Sequence, residues 1–405
     1  MNRTGRTGRT GRTVDVLVVG AGPAGLALAA GLAGAGAGRI EVLEREPDAG
    51  GVPRHCHHGG FGGLPRPWLT GPAYARRSTE SAVAAGATVR TGVSATGWAG
   101  PLSLETTGPA GLERITARAV VLATGARERP RSARLVPGSR PAGVLTSGEL
   151  QQSVHLYGQD VGRRAVVVGA EPVARHAVRT LRRAGAEVVA VVTELRRGAA
   201  LPGVPLLTAT TVTELGGRGR LSGVAVRHED GRSGWLACDT VVFTGDWIPD
   251  HELARRGGIE LDPGTRGPCV DASFRTSAPG VFAVGNALHG IERAATAASE
   301  GAAAVAPVRA HLSGASWPEP GPPLLVRPPL VWVAPNRITG TAARPLLLRS
   351  AAPLTAPVVA ARQDGRLLWR RRIPGRVSPA RSMRLSPAWT ALVDGAGGPV
   401  VLGLA

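Results

Sequence analysis

The segment Gly20-Ala21-Gly22-Pro23-Ala24-Gly25 constrains this chain more than any other feature of its sequence. It follows an apolar run ending at Val19, which predicts a buried strand, and it opens an alanine-rich stretch that predicts a helix from about Pro23 to Ala35. In this spacing the first glycine permits a tight turn, the second lets the backbone approach a pyrophosphate, and the third lets the helix lie close to the strand. The segment therefore predicts a phosphate-binding cradle at a helix N-terminus.

A second predicted strand, residues 40–43, leads to Glu44. This acid lies close to the spacing of about 20 residues at which a carboxylate binds the adenosine ribose of a dinucleotide. Strand, helix, second strand and acid together predict a bound dinucleotide rather than an ordinary glycine-rich turn.

The uncharged run 16–38 offers a competing interpretation, because about 20 apolar residues can span a membrane. The run contains seven glycines and a proline, and it is mostly alanine rather than leucine, isoleucine or phenylalanine. Its β-branched front half and alanine-rich back half favour a strand followed by a helix. We therefore expect no membrane span.

The formal charge of +19 would ordinarily point to nucleic acid or an anionic surface. All 48 basic residues are arginine, however, and they are scattered along the chain, while aromatic residues make up only 3%. The stacking surfaces used by single-strand binders are therefore scarce, and we expect no nucleic-acid partner. The absence of lysine also excludes a lysine Schiff base on this chain. Cys56, Cys238 and Cys269 form no C-x-x-C motif, which favours a reducing, cytoplasmic location.

A second strand–turn–helix unit begins near Arg164 and passes through Gly169-Ala170-Glu171-Pro172-Val173-Ala174. Its helix is predicted over residues 173–184, and a last helix over residues 292–306 ends ahead of Pro307. The predicted fold is α/β, with two three-layer Rossmann-like domains, the second inserted in the first, and a small, mostly β C-terminal appendage. The predicted divisions are a disordered tail 1–13, a first dinucleotide-binding domain 14–157 with 246–315, a second nucleotide-binding-like domain 158–245, and a linker with the appendage 316–405.

Motifs in one fixed order carry a family resemblance: the two cradles, a Thr-Gly strand end after each, and the late segment Thr276 to Asn286. Over about residues 14–315 the chain resembles the pyridine nucleotide–disulfide oxidoreductase superfamily of flavoproteins with two dinucleotide-binding domains. Within it, the segments 50–62 and 243–250 are similar to flavoprotein subunits of heteromeric amine, opine and cyanide-forming dehydrogenases.

The resemblance implies FAD along the first cradle, with Thr124-Gly125 joining the two domains and Gly285-Asn286 reaching the ribityl and phosphate region. Arg54 either neutralises a flavin phosphate or is simply solvated. The expected cofactor-binding residues are Gly20, Ala21, Gly22, Pro23, Ala24, Gly25, Glu44, Gly51, Arg54, Thr124, Gly125, Gly285 and Asn286.

Three departures from the superfamily pattern bear on function. Cys56 has no partner cysteine nearby, so disulfide reduction is not expected. The late motif ends Gly-Asn instead of Gly-Asp. In the second cradle Glu171 stands where the middle glycine belongs, so NAD(P) binding is left open and is expected to be poor or absent.

The run His55-Cys56-His57-His58 holds the candidate catalytic residues. Three imidazoles within four residues suit a proton donor or base near neutral pH, and positive charge beside Cys56 would favour its thiolate. The equal alternative is a polar loop whose histidines bond phosphate or backbone, with Cys56 as a small apolar residue. Zinc fits poorly, because adjacent residues alone rarely form a tetrahedral site, and no metal is expected.

These features predict an FAD-dependent oxidoreductase, with three hypotheses for its role. The first is a flavoprotein subunit that passes electrons between an acceptor and a small amino or hydroxy acid-like donor or a partner dehydrogenase. The second is a stand-alone NAD(P)H-dependent FAD reductase. The third is a non-enzymatic, flavin-bound scaffold that recruits a partner.

Overall fold

The first unit is a mixed sheet with helices packed against it. A computed structural model describes residues 10–62, 68–198, 201–290, 292–340 and 342–405 of the chain. The first elements are β1 Thr10–Val19, α1 Pro23–Gly34, β2 Ile40–Leu43, α2 Gly71–Ala84, β3 Thr88–Arg90, β4 Ser94–Gly100, β5 Ser103–Gly108 and β6 Gly111–Leu122. The strands lie in the order β3-β2-β1-β6-β5-β4, parallel from β3 to β6 and antiparallel beyond it.

The second unit lies between two passages of the chain through the first. The chain enters it through β7 Ala126–Glu128, and its elements are β8 Val144–Thr146, α3 Ser147–His155, β9 Arg164–Val168, α4 Pro172–Arg183, β10 Glu187–Val192, β11 Leu206–Leu207, β12 Thr210–Arg218, β13 Arg220–His228, β14 Ser233–Ala237 and β15 Thr240–Phe243. The parallel sheet β11-β10-β9-β15-β8 separates the helices from the antiparallel sheet β12-β13-β14, which gives three layers.

The chain then returns to the first unit. This passage consists of β16 Trp247–Pro249, α5 Glu252–Arg256, β17 Val281–Ala283 and α6 Ala294–Leu312. β16 pairs antiparallel with β7, so the two connections between the units run side by side. β17 pairs parallel with the end of β6, and α6 packs against α1.

The C-terminal unit is a β structure with its own core. Its strands are β18 Leu324–Val326, β19 Leu330–Ala334, β20 Leu346–Ser350, β21 Leu354–Thr355, β22 Val358–Gln363, β23 Arg366–Arg372, β24 Arg376–Val377, β25 Met383–Leu385 and β26 Val400–Leu404. The sheets β18-β26-β22-β23 and β19-β20-β25 enclose one apolar cluster. The predicted fold class is thereby confirmed. No helix in the described ranges is long and apolar enough to cross a bilayer.

The predicted tail is too long, because β1 begins at Thr10. Residues 10–14 pair with residues 113–117 of β6, whose length offers them a partner, and Arg12 forms an ion pair with the buried Glu41 at 2.7 Å. Residues 1–9 lie outside the described part of the chain.

The predicted division at residue 157 also differs from the strand pairing. β8 and α3 lie before it, yet β8 pairs with β15 in the second sheet. A capping box at the start of α3, in which Thr146 and Glu149 bond each other's backbone N–H, marks this helix in the sequence. We propose that the second unit begins near residue 144.

The prediction that the last helix ends before Pro307 is wrong. α6 continues through Pro307 to Leu312. An interior proline costs a helix about 3 kcal/mol. Ala304 and Val308, on either side of it, are fully buried against the first unit, and this packing stabilises the continuous helix.

Candidate functional site

The three glycines of the first cradle occupy three different environments. Gly20 has φ +109°, and a Cβ there would overlap the carbonyl oxygen of Ala123. A Cβ at Gly25 would overlap the carbonyl oxygen of Gly20, so this residue sets the close approach of α1 to β1. At Gly22 no heavy atom of the described residues lies within 4 Å of the Cβ position. Only the middle position of the cradle is therefore open, as a pyrophosphate requires.

The open position lies at the N-terminus of α1. Gly22 is the residue before the helix and Pro23 is its first residue, where the missing proline N–H costs no hydrogen bond. The first turn contains no acidic residue and no side chain caps it. Its free amides and positive helix end suit phosphate oxygens, so the cradle fits the pyrophosphate of FAD. Ala21 and Ala24 line the turn and are both buried.

Glu44 is buried beside the cradle, at the end of β2. One carboxylate oxygen accepts the Ala21 N–H at 3.1 Å, and the other accepts the Glu46 N–H at 3.0 Å. Each carboxylate oxygen has a further lone pair for a ribose hydroxyl. The backbone bonds hold Glu44 in the position where the sequence predicts ribose binding.

The loop after β2 folds back over the cradle. The Gly50 N–H donates to the Ala21 carbonyl at 2.8 Å, and Gly51 at φ +62° lies against Gly22. Arg54 donates to the Asp48 carbonyl at 3.0 Å and forms an ion pair with its carboxylate at 3.2 Å. This geometry uses Arg54 to close the loop rather than leaving it solvated.

Thr124 and Gly125 lie where the chain leaves the first unit. The Thr124 hydroxyl donates to the Asp250 carbonyl at 2.6 Å, and the Asp250 N–H donates to the Gly125 carbonyl at 2.9 Å. These bonds join the outgoing and returning connections next to the cradle, because Thr124 follows the Ala123 carbonyl that Gly20 contacts.

Gly285 and Asn286 begin a short 3-10 helix, Gly285–Ala287, beside α1. Gly285 has φ +70°, and a Cβ there would lie 2.6 Å from the Ala24 side chain. The Asn286 amide donates to the Glu292 carbonyl and accepts the Glu292 N–H, both at 3.1 Å. An aspartate could not donate the first bond, so asparagine here joins residues 286 and 292 through both groups of its amide.

The loop that carries His55, Cys56, His57 and His58, called the histidine loop below, contacts the second unit through two ring stacks. His57 stacks on His155 of α3 with centroids 4.2 Å apart and parallel planes. His58 stacks on His176 of α4 at 3.5 Å and 13°. The loop that follows the Gly-Gly turn is therefore held between both units.

Three histidines of this region, His55, His155 and His176, have lowered pKa values and favour the neutral state. Burial, followed by the positive charge of Arg54, lowers the pKa of His55 to about 4. Burial and then His58 lower the pKa of His176 to about 4, and burial with the neighbouring His57 lowers that of His155. His55 is thus a neutral imidazole at pH 7 and does not supply a positive charge to Cys56.

Cys56 is a thiol in this environment rather than the thiolate that one interpretation predicts. Burial raises its pKa to about 12, and the carboxylate of Glu128 adds to the shift. Burial likewise raises the pKa of Cys238 to about 11 and of Cys269 to about 12. All three cysteines are free, and no group of three or more metal-binding side chains occurs among the described residues.

Sequence analysis missed His155, His176 and Glu128 beside this loop. Glu128, in β7, accepts the Gly148 N–H at 2.6 Å and the Ser147 hydroxyl at the start of α3, and burial raises its pKa. None of the three belongs to a motif. The useful signal was topological, because β8 and β9 run into α3 and α4, and ligand sites in such sheets lie beyond the carboxyl ends of the strands.

The second cradle has the layout of the first, but an acidic side chain lies across it. Gly169 at φ +125° forms its turn, and the Glu171 carboxylate accepts the Thr244 hydroxyl at 2.8 Å. The other carboxylate oxygen of Glu171 lies against Gly245. Arg134 donates to the carbonyls of Thr244, at 3.2 Å, and Gly245, at 2.6 Å. The chain's own side chains thus satisfy the strand end that borders this cradle.

The comparisons with known proteins agree with this architecture. The family model for pyridine nucleotide-disulphide oxidoreductases matches residues 14–301. The alpha subunit of sarcosine oxidase from Corynebacterium sp. (strain U-96) is 28% identical over 314 residues, which cover 71% of this chain and 32% of that protein. An opine oxidase subunit from Agrobacterium tumefaciens (strain Ach5) is 31% identical over 173 residues, 39% of this chain and 32% of that protein. The chain thus spans about a third of the length of these relatives.

A solved structure, the thioredoxin reductase of T. acidophilum, superimposes with a TM-score of 0.62 at 22% identity. The match covers 74% of this chain and 98% of that chain. At this identity the likeness shows the fold alone. The family match extends over more than half of the chain, from the first cradle to α6, and it confirms the resemblance stated above. The chain therefore belongs to the pyridine nucleotide-disulphide oxidoreductase family, a family of FAD-binding oxidoreductases.

Proposed function

We propose that this chain is the FAD-carrying component of a heteromeric dehydrogenase or oxidase. It passes electrons between an acceptor and a small amino or hydroxy acid-like donor or a partner dehydrogenase subunit, and it works in the cytoplasm. Bound FAD supplies the redox chemistry. The observation that carries the proposal is the Glu171 carboxylate lying across the second cradle.

The first cradle supports the cofactor half of this proposal. Gly22 leaves the pyrophosphate path open, the α1 amides face it, and Glu44 is fixed by backbone bonds beside it. The loop at Gly51 covers the cradle, so it shields the phosphates from water.

The second cradle supports the absence of a nicotinamide donor. A carboxylate 4 Å from a phosphate charge repels it by about 4 kcal/mol at an effective dielectric of 20. Solvent around the half-buried Glu171 reduces this value, but the side chain also takes up space that the pyrophosphate needs. The Thr244 hydroxyl holds it in that position.

The names of the relatives support the proposed organic donor and partner subunit. Two proteins similar to this chain are called subunits of a sarcosine oxidase and an opine oxidase. These names describe oxidation of amino-acid-like compounds by assemblies of several chains. They favour an organic donor and a partner subunit for this chain too.

Anaerobic mixing of the FAD-loaded protein with NADH, NADPH and candidate amino or hydroxy acids tests the proposal. We expect NADH and NADPH to leave the flavin oxidised, and a donor acid to bleach it, alone or with its partner subunit. Rapid bleaching by micromolar NADH or NADPH would establish the stand-alone reductase instead. Stoichiometric FAD that no donor reduces would establish the scaffold.

Two variants of Glu171 separate charge from bulk. Glu171→Gly removes both, and we expect it to tighten NADH or NADPH binding at least tenfold. Glu171→Gln keeps the bulk and an acceptor for Thr244, so it should recover only part of that gain. Equal, weak nicotinamide binding in the wild type and both variants would show that Glu171 is not what excludes the nucleotide.

A further inference from the structure

A second polar site lies between α6 and the C-terminal β unit. It is a cavity of about 60 Å³, lined by fourteen residues that include Phe274, Ser299, Glu300, Arg344 and Arg384. None of the first-cradle residues lines it. It also uses a different face of α6, because Gly301 packs on Ala24 of α1 while Ser299 and Glu300 face the cavity.

The acidic wall of the cavity is Glu300, which is more than nine-tenths buried. One of its carboxylate oxygens lies 2.9 Å from Nε2 of the fully buried His289, whose ring stacks on Trp332. The other oxygen is buried and has no hydrogen-bond partner in the described part of the chain. A buried acceptor left in this state costs about 1–3 kcal/mol, so the site lacks a donor.

The basic wall consists of two arginines. Arg344 lies over the Phe274 ring at 5.4 Å, and its Nη2 donates to the Ser299 hydroxyl at 3.3 Å. Its Nη1 is buried without a partner among the described residues. Arg384 lies at the exposed side of the cavity, and within the described ranges neither guanidinium is within 4.0 Å of a carboxylate. The site therefore also lacks an acceptor.

The other charges around the cavity are already paired. Asp271, which also lines it, forms an ion pair with Arg275 at 2.7 Å. Arg349, which lies over the Trp332 ring, pairs with Glu292 at 2.6 Å, and both of these side chains are largely buried. Among the described side chains that line the cavity, the buried groups without a partner are thus one Glu300 oxygen and Nη1 of Arg344, while Arg384 is exposed at the rim.

We propose that this cavity binds a small zwitterionic amino acid, with its carboxylate on Arg344 and Arg384 and its ammonium group on the free oxygen of Glu300. A simple carboxylate would leave the Glu300 oxygen beside a like charge, and a simple amine would face two cations. At about 10–15 Å³ for each water-sized sphere, the volume holds about four to six non-hydrogen atoms, the size of glycine.

Binding here would link the two units that form the cavity. Ser299 and Glu300 belong to α6 of the flavin-binding unit, whereas Arg344 and Arg384 belong to the C-terminal unit. A ligand held by both sets of residues stabilises their contact. This inference does not depend on the proposed electron-transfer role.

Calorimetric titration of the FAD-loaded full chain with glycine tests this site, with acetate and methylammonium as single-group probes. We expect one glycine per chain, and at least tenfold weaker binding of the two comparison ions. Arg344→Gln and Glu300→Gln should each weaken glycine binding at least tenfold, whereas Arg371→Gln, at an exposed arginine of β23, should leave it unchanged. Thermal unfolding and flavin content establish that each variant is folded.

If Arg344→Gln fails to fold, Arg384→Gln at the exposed mouth replaces it in the comparison. No saturable glycine binding would mean that the cavity holds only water and would overturn the proposal. Equal binding of all three probes, or glycine binding that the Glu300 and arginine variants do not change, would overturn it too. Flavin reduction by a donor is measured separately, so failure here and failure of the proposed function give different results.

Discussion

The two cradles have the same strand–turn–helix layout and differ most at one residue. Gly22 leaves the first cradle open, whereas Glu171 lies across the second and accepts a hydrogen bond from Thr244. Both turns begin with a glycine at positive φ, and both helices begin with proline. We therefore expect two cradles of the same backbone geometry to differ in binding, because the side chain at the middle position sets the room for a phosphate.

The largest expected effect comes from closing the first cradle with Gly22→Leu. Gly22 has φ −83°, and its Cβ position is free of described neighbours, so leucine fits the apoprotein and blocks only the pyrophosphate path. We expect the folded variant to purify without flavin, as measured by its visible absorbance. Gly34→Leu, at the exposed end of α1 with equally open space, is the control and should keep full flavin. A yellow, folded Gly22→Leu protein would contradict this placement of FAD.

The next effect concerns the histidine loop that lies between the cradles. In the folded chain the pKa of His55 is about 4, below its ordinary value of 6.5. Between these two pH values the unfolded chain therefore binds a proton at His55 that the folded chain does not bind. Stability is therefore full above pH 6.5 and should fall by about 3 kcal/mol as pH drops to 4. Denaturant unfolding at both pH values should show a flatter pH dependence for His55→Gln than for the wild type. Identical pH dependence in His55→Gln and the wild type would show that His55 does not cause it.

A smaller effect on nicotinamide binding should follow when Glu171 stays in place but loses its hydrogen bond from Thr244. Thr244→Val deletes the hydroxyl whose single hydrogen bonds either the Glu171 carboxylate or the Val168 carbonyl, which costs about 1 kcal/mol of unfolding free energy. We expect nicotinamide binding to rise less than in Glu171→Gly, because the carboxylate remains nearby. Thr211→Val, at an exposed position of β12, should change neither quantity. A larger gain than that of Glu171→Gly would mean that Thr244 itself obstructs the cradle.

The smallest effect is expected from Cys56→Ser. The half-buried Cys56 follows the loop that packs on the first cradle, and we propose that its thiol tunes the flavin without forming a disulfide. The variant should show a small shift in the flavin spectrum or rate, and thiol titration should be constant during turnover. Cys269→Ser, in another buried environment, is the control. Unchanged spectra and kinetics in Cys56→Ser would show that Cys56 contributes only to packing.

Local sequence signals predicted the first unit closely. The strand 40–43 and the start of α1 at Pro23 are confirmed, because glycine spacing, proline and apolar runs act over a few residues. The end of α6 was wrong, because packing of Ala304 and Val308 outweighs the local effect of Pro307.

The environment of the site residues was less predictable. The stacks of His57 and His58 on α3 and α4 join residues about 100 positions apart, which no local pattern reveals. The motif did not indicate that the Asn286 amide would bond the Glu292 backbone, while the expected contact of Gly285-Asn286 with the cofactor stays a prediction. The steric effect that we propose for Glu171 rests on the sequence, because a glycine motif specifies where a side chain is excluded. Its bond to Thr244 depends on how β9 and β15 pair.

The carboxylate across the second cradle has a consequence for metabolic regulation under the proposed function. A flavoprotein that takes electrons from a nicotinamide is governed by the cell's ratio of reduced to oxidised nicotinamide. With Glu171 and Thr244 bonded to each other, the second cradle would give that ratio no point of entry to the flavin. The direction of electron flow would then be set only by the reduction potentials of the organic donor and the acceptor, whatever the nutritional state of the cell.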